Sequence, residues 1–325
     1  MKKNGRVLKV GSGLHKSEII FMVCILFLPL FHHILNSYIL GAYNLVFTFQ
    51  KYDAKGNLYW VGFQNFETAW NMIFADENSI LFHGLVNGLT VWVVQNIVMF
   101  PVTMIFSFYM SKRILGHKTF RFVAMLPVMV TGLIMSQIYQ SIMEGPLPQI
   151  LMEVFDTEFI YFFQDPSKTF GTLLGFLLWT GFGSTLIIYP NAMNAIDKNI
   201  VEASVIDGAD DLRQFWHIYL PGIWPTLTVT YLTAMGVILT TDLPNYLFYG
   251  YNAPYETYTM GYYIFKQTMK GGDNVGPVLN AINYMLAPVS VGLSLLWKYV
   301  AENYGPTDEE PQLKKKKLID VNSGR

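Results

Sequence analysis

Asn194-Ala-Ile-Asp-Lys-Asn-Ile-Val-Glu-Ala-Ser-Val-Ile-Asp-Gly-Ala-Asp-Asp-Leu-Arg-Gln-Phe-Trp-His-Ile-Tyr-Leu-Pro221 separates two long apolar runs and carries acids at Asp197, Glu202, Asp207, Asp210 and Asp211. Val201, Val205, Ala209, Leu212, Phe215 and Trp216 recur near helical spacing, so one apolar face forms across the stretch. Glu202, Asp207, Asp210 and Asp211 crowd the other side. Gly208 interrupts the pattern, and its missing Cβ permits a bend or a close backbone approach. Pro221 marks the entry into the next apolar run. The stretch predicts a short, acidic-edged amphipathic helix held between two hydrophobic segments.

Those flanking segments, 168–197 and 217–242, belong to a set of intervals without internal charge that also includes 83–112, 121–144 and 273–298. Each is long enough for the roughly 20 residues that a helix needs to cross about 30 Å of hydrocarbon. A sixth, 19–40, is interrupted by Pro29, His32, His33 and Asn36, groups that a membrane helix tolerates where neighbouring helices re-satisfy the backbone. Composition agrees, with 52% hydrophobic and only 14% charged residues, against roughly 25% charged in a typical soluble domain. The fold class is therefore an all-α integral membrane protein of about six transmembrane helices. It divides into an N-terminal segment 1–18, a membrane domain 19–302 containing the loop 194–221, and a charged tail 303–325.

Lysine and arginine asymmetry sets the orientation, because cytoplasmic loops retain basic residues. Seventeen basic residues fall in the N-terminal segment, the 112–121 and 197–221 loops and the tail; five (Lys51, Lys55, Lys168, Lys266, Lys270) fall on the other side. Both termini are thereby placed in the cytoplasm, and 41–82 and 145–169 outside. The apolar character persists to Leu40 with no small-x-small site after the first core, which argues for a retained helix over a cleaved signal peptide. In the tail, Asp308, Glu309 and Glu310 precede the lysines 314–317, a solvated extension or a patch for anionic membrane lipid.

Chemistry-bearing motifs are sparse. There is no phosphate-cradling G-x-x-x-x-G-K-[ST] loop and no paired-histidine spacing, so nothing points to a catalytic or metal-ligating set. Near-neutral balance, 22 basic against 23 acidic residues, gives no sign of a nucleic-acid binder. A single cysteine, Cys24, excludes a disulfide framework and reads as a small apolar residue. Ion-coupled transport or a channel is the competing reading, weakened by the shortage of intramembrane ionisable groups. An intramembrane enzyme would need polar catalytic groups clustered at one depth, and none is evident. Asp242, at the end of its interval, reads as a solvated boundary residue.

After that interval Tyr246, Phe248, Tyr249, Tyr251, Tyr255, Tyr258, Tyr262 and Tyr263 crowd together. They form either an interfacial aromatic belt or rings that stack on a sugar, with Tyr249, Tyr251 and Tyr255 as candidates for a solute path. Asn191 and Gln137 are further candidates, among polar membrane positions that also include Asn87, Gln95, Asn96, Gln140, Asn280 and Asn283. Interhelical hydrogen bonds explain such residues about as well as a solute path does.

For the 194–221 loop, docking on a soluble partner competes with lying flat on the bilayer, which its four acids oppose. Here Glu202-Ala203-Ser204, Asp207-Gly208-Ala209 and Ile218-x-Leu220-Pro221 resemble the EAA loop of ABC-importer permeases, in detail the maltose-type carbohydrate branch. Val61-Gly62-Phe63-Gln64-Asn65-Phe66, Asn87-Gly88-Leu89-Thr90 and Ala192-Met193-Asn194-Ala195-Ile196-Asp197 support the resemblance. Ser204 replaces the second alanine, and Tyr249-Gly250-Tyr251-Asn252-Ala253-Pro254 stands where the family often has Gly-Gly-Pro. The resemblance implies a type I importer permease in a bacterial cytoplasmic membrane. It also implies a second permease subunit, two ATPase subunits that bind the ATP and Mg, and an extracellular solute-binding protein. In it, Glu202, Ala203, Ser204, Asp207, Gly208, Ala209, Leu212 and Pro221 form the ATPase-coupling set, and this chain holds no cofactor.

Overall fold

The computed structural model describes residues 16–76, 79–156, 158–272 and 274–306, with side chains from residue 20. The basic residues before 16 and the charged run 307–325 lie outside the described residues. Helix α1 (Lys16–His33), a π-helical turn (Ile34–Leu40) and α2 (Gly41–Thr48) form one apolar run. A hairpin follows, β1 (Gln50–Tyr52) antiparallel to β2 (Leu58–Trp60) with Lys51 opposite Tyr59, and then α3 (Gln64–Phe74). The hairpin turn is held by Asp53, whose carboxylate accepts from the amides of Lys55 and Asn57, both at 2.8 Å. Helix α4 (Ile80–Val93), a π-helical segment (Val94–Val98) and α5 (Met99–Ser111) make a second rod. Next come α6 (His117–Met129), α7 (Gly132–Glu144), α8 (Pro146–Phe155) and α9 (Pro166–Asn194). The loop of interest holds α10 (Lys198–Ile206) and α11 (Asp211–Gln214), continued by a π turn (Phe215–Tyr219), α12 (Leu220–Gly222) and α13 (Trp224–Gly236). Helix α14 (Asn245–Tyr249), a 3-10 turn (Tyr255–Thr257), α15 (Met260–Lys270) and α16 (Val275–Tyr304) complete the described chain.

Among the described residues four helical runs, Ile20–Thr48, Ile80–Ser111, Pro166–Asn194 and Val275–Tyr304, are long and apolar enough to cross a membrane. Helix α6 together with the run of α7 and α8 passes the same test only as a pair bent by 109°, the geometry of a broken span or a re-entrant loop. The interval 217–242 is less regular than its composition predicts: α13 has only 13 residues and 237–240 unwinds into turns. Two features explain this. Pro221 and Pro225 bring no amide donors to the preceding turns, and the β-branched Val237, Ile238, Thr240 and Thr241 are poor helix formers. Helix α9 begins at Asp165, whose side chain accepts from the Ser167 amide at 3.0 Å and pairs with Lys168 at 2.8 Å. The Lys168 ammonium and Ser167 hydrogen bonds hold this carboxyl down at about 2.

Three buried clusters run through the bundle. At the hairpin end Ile73, Leu81, Met260, Tyr262 and Ile282 pack together; Val91, Tyr139, Leu173 and Phe176 form a middle group. Beneath the 198–219 loop sit Met104, Tyr189, Met193, Tyr219, Ile223 and Leu227. Close helix contact depends on small residues. A Cβ on Gly183 of α9 would lie 2.3 Å from the Ala124 carbonyl of α6, so this crossing admits no side chain. Gly183→Val is expected to destabilise the chain by about 1–3 kcal/mol through overpacking, read as a lowered melting midpoint in detergent; an unchanged midpoint would refute the close crossing. By contrast, the run Ile20–Thr48 buries little of its apolar surface within the chain. A stripe of that size is the surface of a protein solvated by lipid or by another membrane subunit.

Candidate functional site

The 198–219 loop is not one helix but a helix-turn-helix. Asp197 caps α10 by accepting from the Asn199 amide at 3.0 Å. The helix ends in a Schellman arrangement: the Gly208 amide donates to Val205 O at 3.0 Å and the Ala209 amide to Ser204 O at 2.9 Å. Gly208 adopts φ +79°, and no heavy atom lies within 4 Å of where its Cβ would be. Of the two roles open to this glycine, the bend is the one required and close approach is not. Asp210 starts the second helix by accepting from the Arg213 amide at 2.8 Å. Sequence spacing could not show that Asp207 and Asp210 sit at the turn, where they break the single helix it predicts.

The turn leaves a projecting surface. Glu202, Ala203, Asp207, Gly208 and Asp211 are exposed, as are Val205 and Leu212, while Ser204 and Ala209 are half-buried. Ile206 is 86% exposed, the largest apolar exposure in the loop and one that water alone would not favour. Pro221 lies in α12, on the way back into the bundle. The underside is tied to the helices by Lys112, which pairs with Asp211 at 2.9 Å and donates to the Gln214 side chain. Its ammonium also lies 5.4 Å from the Phe108 ring centre and 5.6 Å from that of Tyr219. Buried Gln214 in turn donates to Ala209 O at 2.9 Å, closing the turn on itself. Neither Lys112 nor Gln214 stood out in the sequence, because one ends a span and the other sits inside the loop pattern. Lys112→Met should cost about 1–3 kcal/mol by leaving the buried amide oxygen of Gln214 unsatisfied, detected as a lower melting temperature; wild-type stability would show that the tie is dispensable.

A second site is an open cavity of about 470 Å³ between the π-helical segment 94–98, the middle of α9 and the unwound end of α13. Trp92, Gln95, Asn96, Thr103, Ser184, Thr240, Thr241 and Asp242 are among its lining residues. π-helical turns recur at functional sites, and this one carries Gln95 and Asn96. Trp92 is oriented by donating its indole N–H to Ala234 O at 2.8 Å. Thr241 donates to Val237 O at 2.9 Å. Asp242 accepts at Oδ1 from the Leu243 amide at 2.7 Å and from the buried Thr259 hydroxyl. Among the described residues it is the only acid or base lining this space. A wall that mixes apolar side chains with hydroxyl, amide and carboxylate groups suits a polar, uncharged molecule rich in hydroxyls.

The other solute-path candidates sit elsewhere. Tyr249 donates its hydroxyl to Phe163 O at 2.9 Å, joining the middle cluster. Tyr251 stacks on Phe265 at 6.0 Å, and Tyr255 meets His83 edge-on at 5.5 Å. Asn191 on α9 and Gln137 on α7 are exposed and outside the cavity. Tyr258, Tyr262 and Tyr263 are buried, with Tyr262 accepting from the Ala253 amide at 3.2 Å and donating to Gly250 O at 2.8 Å. Part of the tyrosine cluster is thus core, a distinction that needs the tertiary contacts. Asn87 serves packing, donating to Glu256 O and Tyr258 O, both at 2.8 Å. Among the described residues no group of His, Cys, Asp and Glu could hold a metal ion.

Over 274 residues the chain is 23% identical to the lactose transport system permease protein LacF of Rhizobium radiobacter, covering 82% of this chain and 87% of that one. It is 28% identical over 138 residues to the multiple sugar-binding transport system permease protein MsmF of Streptococcus mutans, covering 40% of this chain. That alignment spans 46% of the streptococcal protein, less than half its length. The crystal structure of a bacterial ABC transporter involved in the import of the acidic polysaccharide alginate superposes with TM-score 0.69 at 18% identity, over 87% of this chain and 95% of that one. The two chains therefore share a fold. Residues 72–291 match the family described as binding-protein-dependent transport system inner membrane component. The chain belongs to that family of multi-pass membrane transport components.

Proposed function

We propose that the chain is the membrane-spanning subunit of an ATP-driven importer that passes a sugar or oligosaccharide delivered by an extracellular binding protein. The projecting face of α10 and α11 carries this reading: acids and uncovered apolar side chains share one rigid turn braced from beneath by Lys112. Such a surface fits a groove on a soluble ATPase, with Glu202 in polar contact and Ala203, Ser204, Ala209 and Leu212 packing around it. ATP and Mg belong to that partner, and a second permease subunit completes the path. Closure of the ATPase pair would draw the loops together and bias the bundle between inward- and outward-open states. With the loop facing the ATPase, both termini lie in the cytoplasm, in accord with the basic-residue asymmetry. A carbohydrate solute is supported by the sugar-transport names of the relatives and by the hydroxyl-rich cavity around Trp92.

Purification of the complete membrane complex from its native host in mild detergent tests the reading. An ATPase and a second permease are expected to co-purify. Glu202→Lys should reduce ATPase recovery about tenfold or more, as loss of a hydrogen bond to a charged group costs about 1.5–3 kcal/mol. A chain that purifies alone and moves solute in ATP-free vesicles would replace this reading with ion-coupled transport.

A further inference from the structure

The surface built by the hairpin and α3 has no role in coupling or in the cavity. It is confined to one level by three membrane runs that end around it. Helix α3 lies between the end of Ile20–Thr48 and the start of Ile80–Ser111. Fully buried Asn65 on its first turn donates to Thr48 O at 2.7 Å and to Gln50 O at 2.9 Å. Asn274, the residue before α16, accepts from the Tyr52 amide at 2.8 Å, so a third run begins at the same height. A helix fixed in this way sits at the boundary of the bilayer.

Its side chains divide into three directions at 100° per residue. Asn65, Ala69 and Ile73 are buried against the bundle. Gln64, Glu67 and Asn71 form a polar, exposed strip. Phe63, Trp70 and Phe74 fall together between these two faces, and they are uncovered: Phe63 is 74% exposed and Trp70 is 56% exposed. Trp70 and Phe74 pair with ring centres 4.5 Å apart, and Phe63 contacts Phe49, which stacks on exposed Trp60 at 5.4 Å. The result is an aromatic ridge beside a polar strip, at a level set by three span ends. The geometry points to a lipid surface as its occupant: we infer that α3 lies in the headgroup layer of the bilayer with Phe63, Trp70 and Phe74 inserted toward the acyl chains. A phenyl or indole ring beside an amide and carboxylate strip matches the change from hydrocarbon to headgroup, whereas a soluble partner would have to enter the bilayer boundary to reach it.

The test uses the assembled importer in lipid nanodiscs. In one set the lipid carries bromine near the headgroup, in another at the chain ends. The emission lost on Trp70→Phe identifies the Trp70 contribution. The expected result is quenching of that contribution by the shallow bromine and much less by the deep one. In parallel, spin labels are placed at Phe74→Cys or Asn71→Cys in a Cys24→Ser background, since Cys24 is exposed. The label at 74 should relax with oxygen, which concentrates in lipid, and the label at 71 with a water-soluble nickel chelate. Unquenched, blue-shifted Trp70 emission with neither label accessible would mean that protein covers the ridge, and would overturn the inference. Unquenched, red-shifted emission with both labels open to the nickel chelate would place the ridge in water and overturn it equally.

Discussion

Gly208→Pro is expected to abolish ATP-driven uptake while leaving the chain in the membrane. The backbone at 208 is at φ +79°, a region proline cannot reach, and the amide that proline lacks is the one donated to Val205 O. A misplaced proline costs about 3 kcal/mol or more, so at about 1.4 kcal/mol per tenfold the equilibrium constant for forming the turn would fall roughly a hundredfold or more. Because α10 and α11 are joined only through this turn, their shared face would come apart even if each helix persisted. Gly208→Ala separates strain from lost hydrogen bonding: it keeps the amide and meets no atom within 4 Å, so only the left-handed backbone penalty of about 1–2 kcal/mol remains. Uptake and ATPase retention should then fall by several-fold to about thirtyfold rather than vanish. Wild-type uptake in Gly208→Pro would remove the loop from the coupling mechanism, and equal defects in both variants would make crowding, not backbone conformation, the cause.

Asp242→Asn should lower uptake by about fivefold to tenfold at sub-saturating solute, with normal recovery of the ATPase. The carboxylate is the only acid or base among the described residues lining the cavity and is held by the Leu243 amide and the Thr259 hydroxyl. Asparagine keeps an oxygen for those donors but removes the charge that strengthens hydrogen bonds from solute hydroxyls, a difference of about 1–1.5 kcal/mol. The same carboxylate, with no cation beside it among the described residues that line the cavity, would repel an acidic sugar. Transport assays with the complete complex should therefore show neutral saccharides losing rate in Asp242→Asn. Unchanged uptake together with a lowered melting temperature would reduce Asp242 to a brace for the turn after α13.

Much of the architecture was legible because membrane burial leaves a mark in composition. A helix that crosses hydrocarbon needs a long uncharged run whatever its neighbours are, and the runs at 83–112, 168–197 and 273–298 recur as single long helical rods. Where local chemistry intervened, length alone was less informative: 217–242 is uncharged, yet its prolines and β-branched residues shorten α13 and open the turn that carries Thr240, Thr241 and Asp242 to the cavity. Periodicity likewise brought out the apolar face of 201–216 but could not break it at 207–210, since the break rests on a left-handed glycine and an aspartate cap.

The site was legible to different degrees. Acids and apolar residues of the loop can be read directly, because neighbours along one helical stretch are neighbours in space. The cavity cannot, since Gln95 on the π segment, Ser184 on α9 and Asp242 after α13 meet only when three separated segments pack. Tyr249, Tyr251 and Tyr255 show the converse: their density along the chain implies one shared surface, but Tyr249 faces Phe163, Tyr251 faces Phe265 and Tyr255 faces His83. By itself the sequence determined a helical membrane protein, an acidic loop between two spans and the absence of a phosphate loop, all properties of composition and short-range spacing. Tertiary structure alone decided which polar side chains face a common space, that Lys112 braces the loop from beneath, and that α3 lies level with three span ends, because each depends on contacts between residues far apart in the chain.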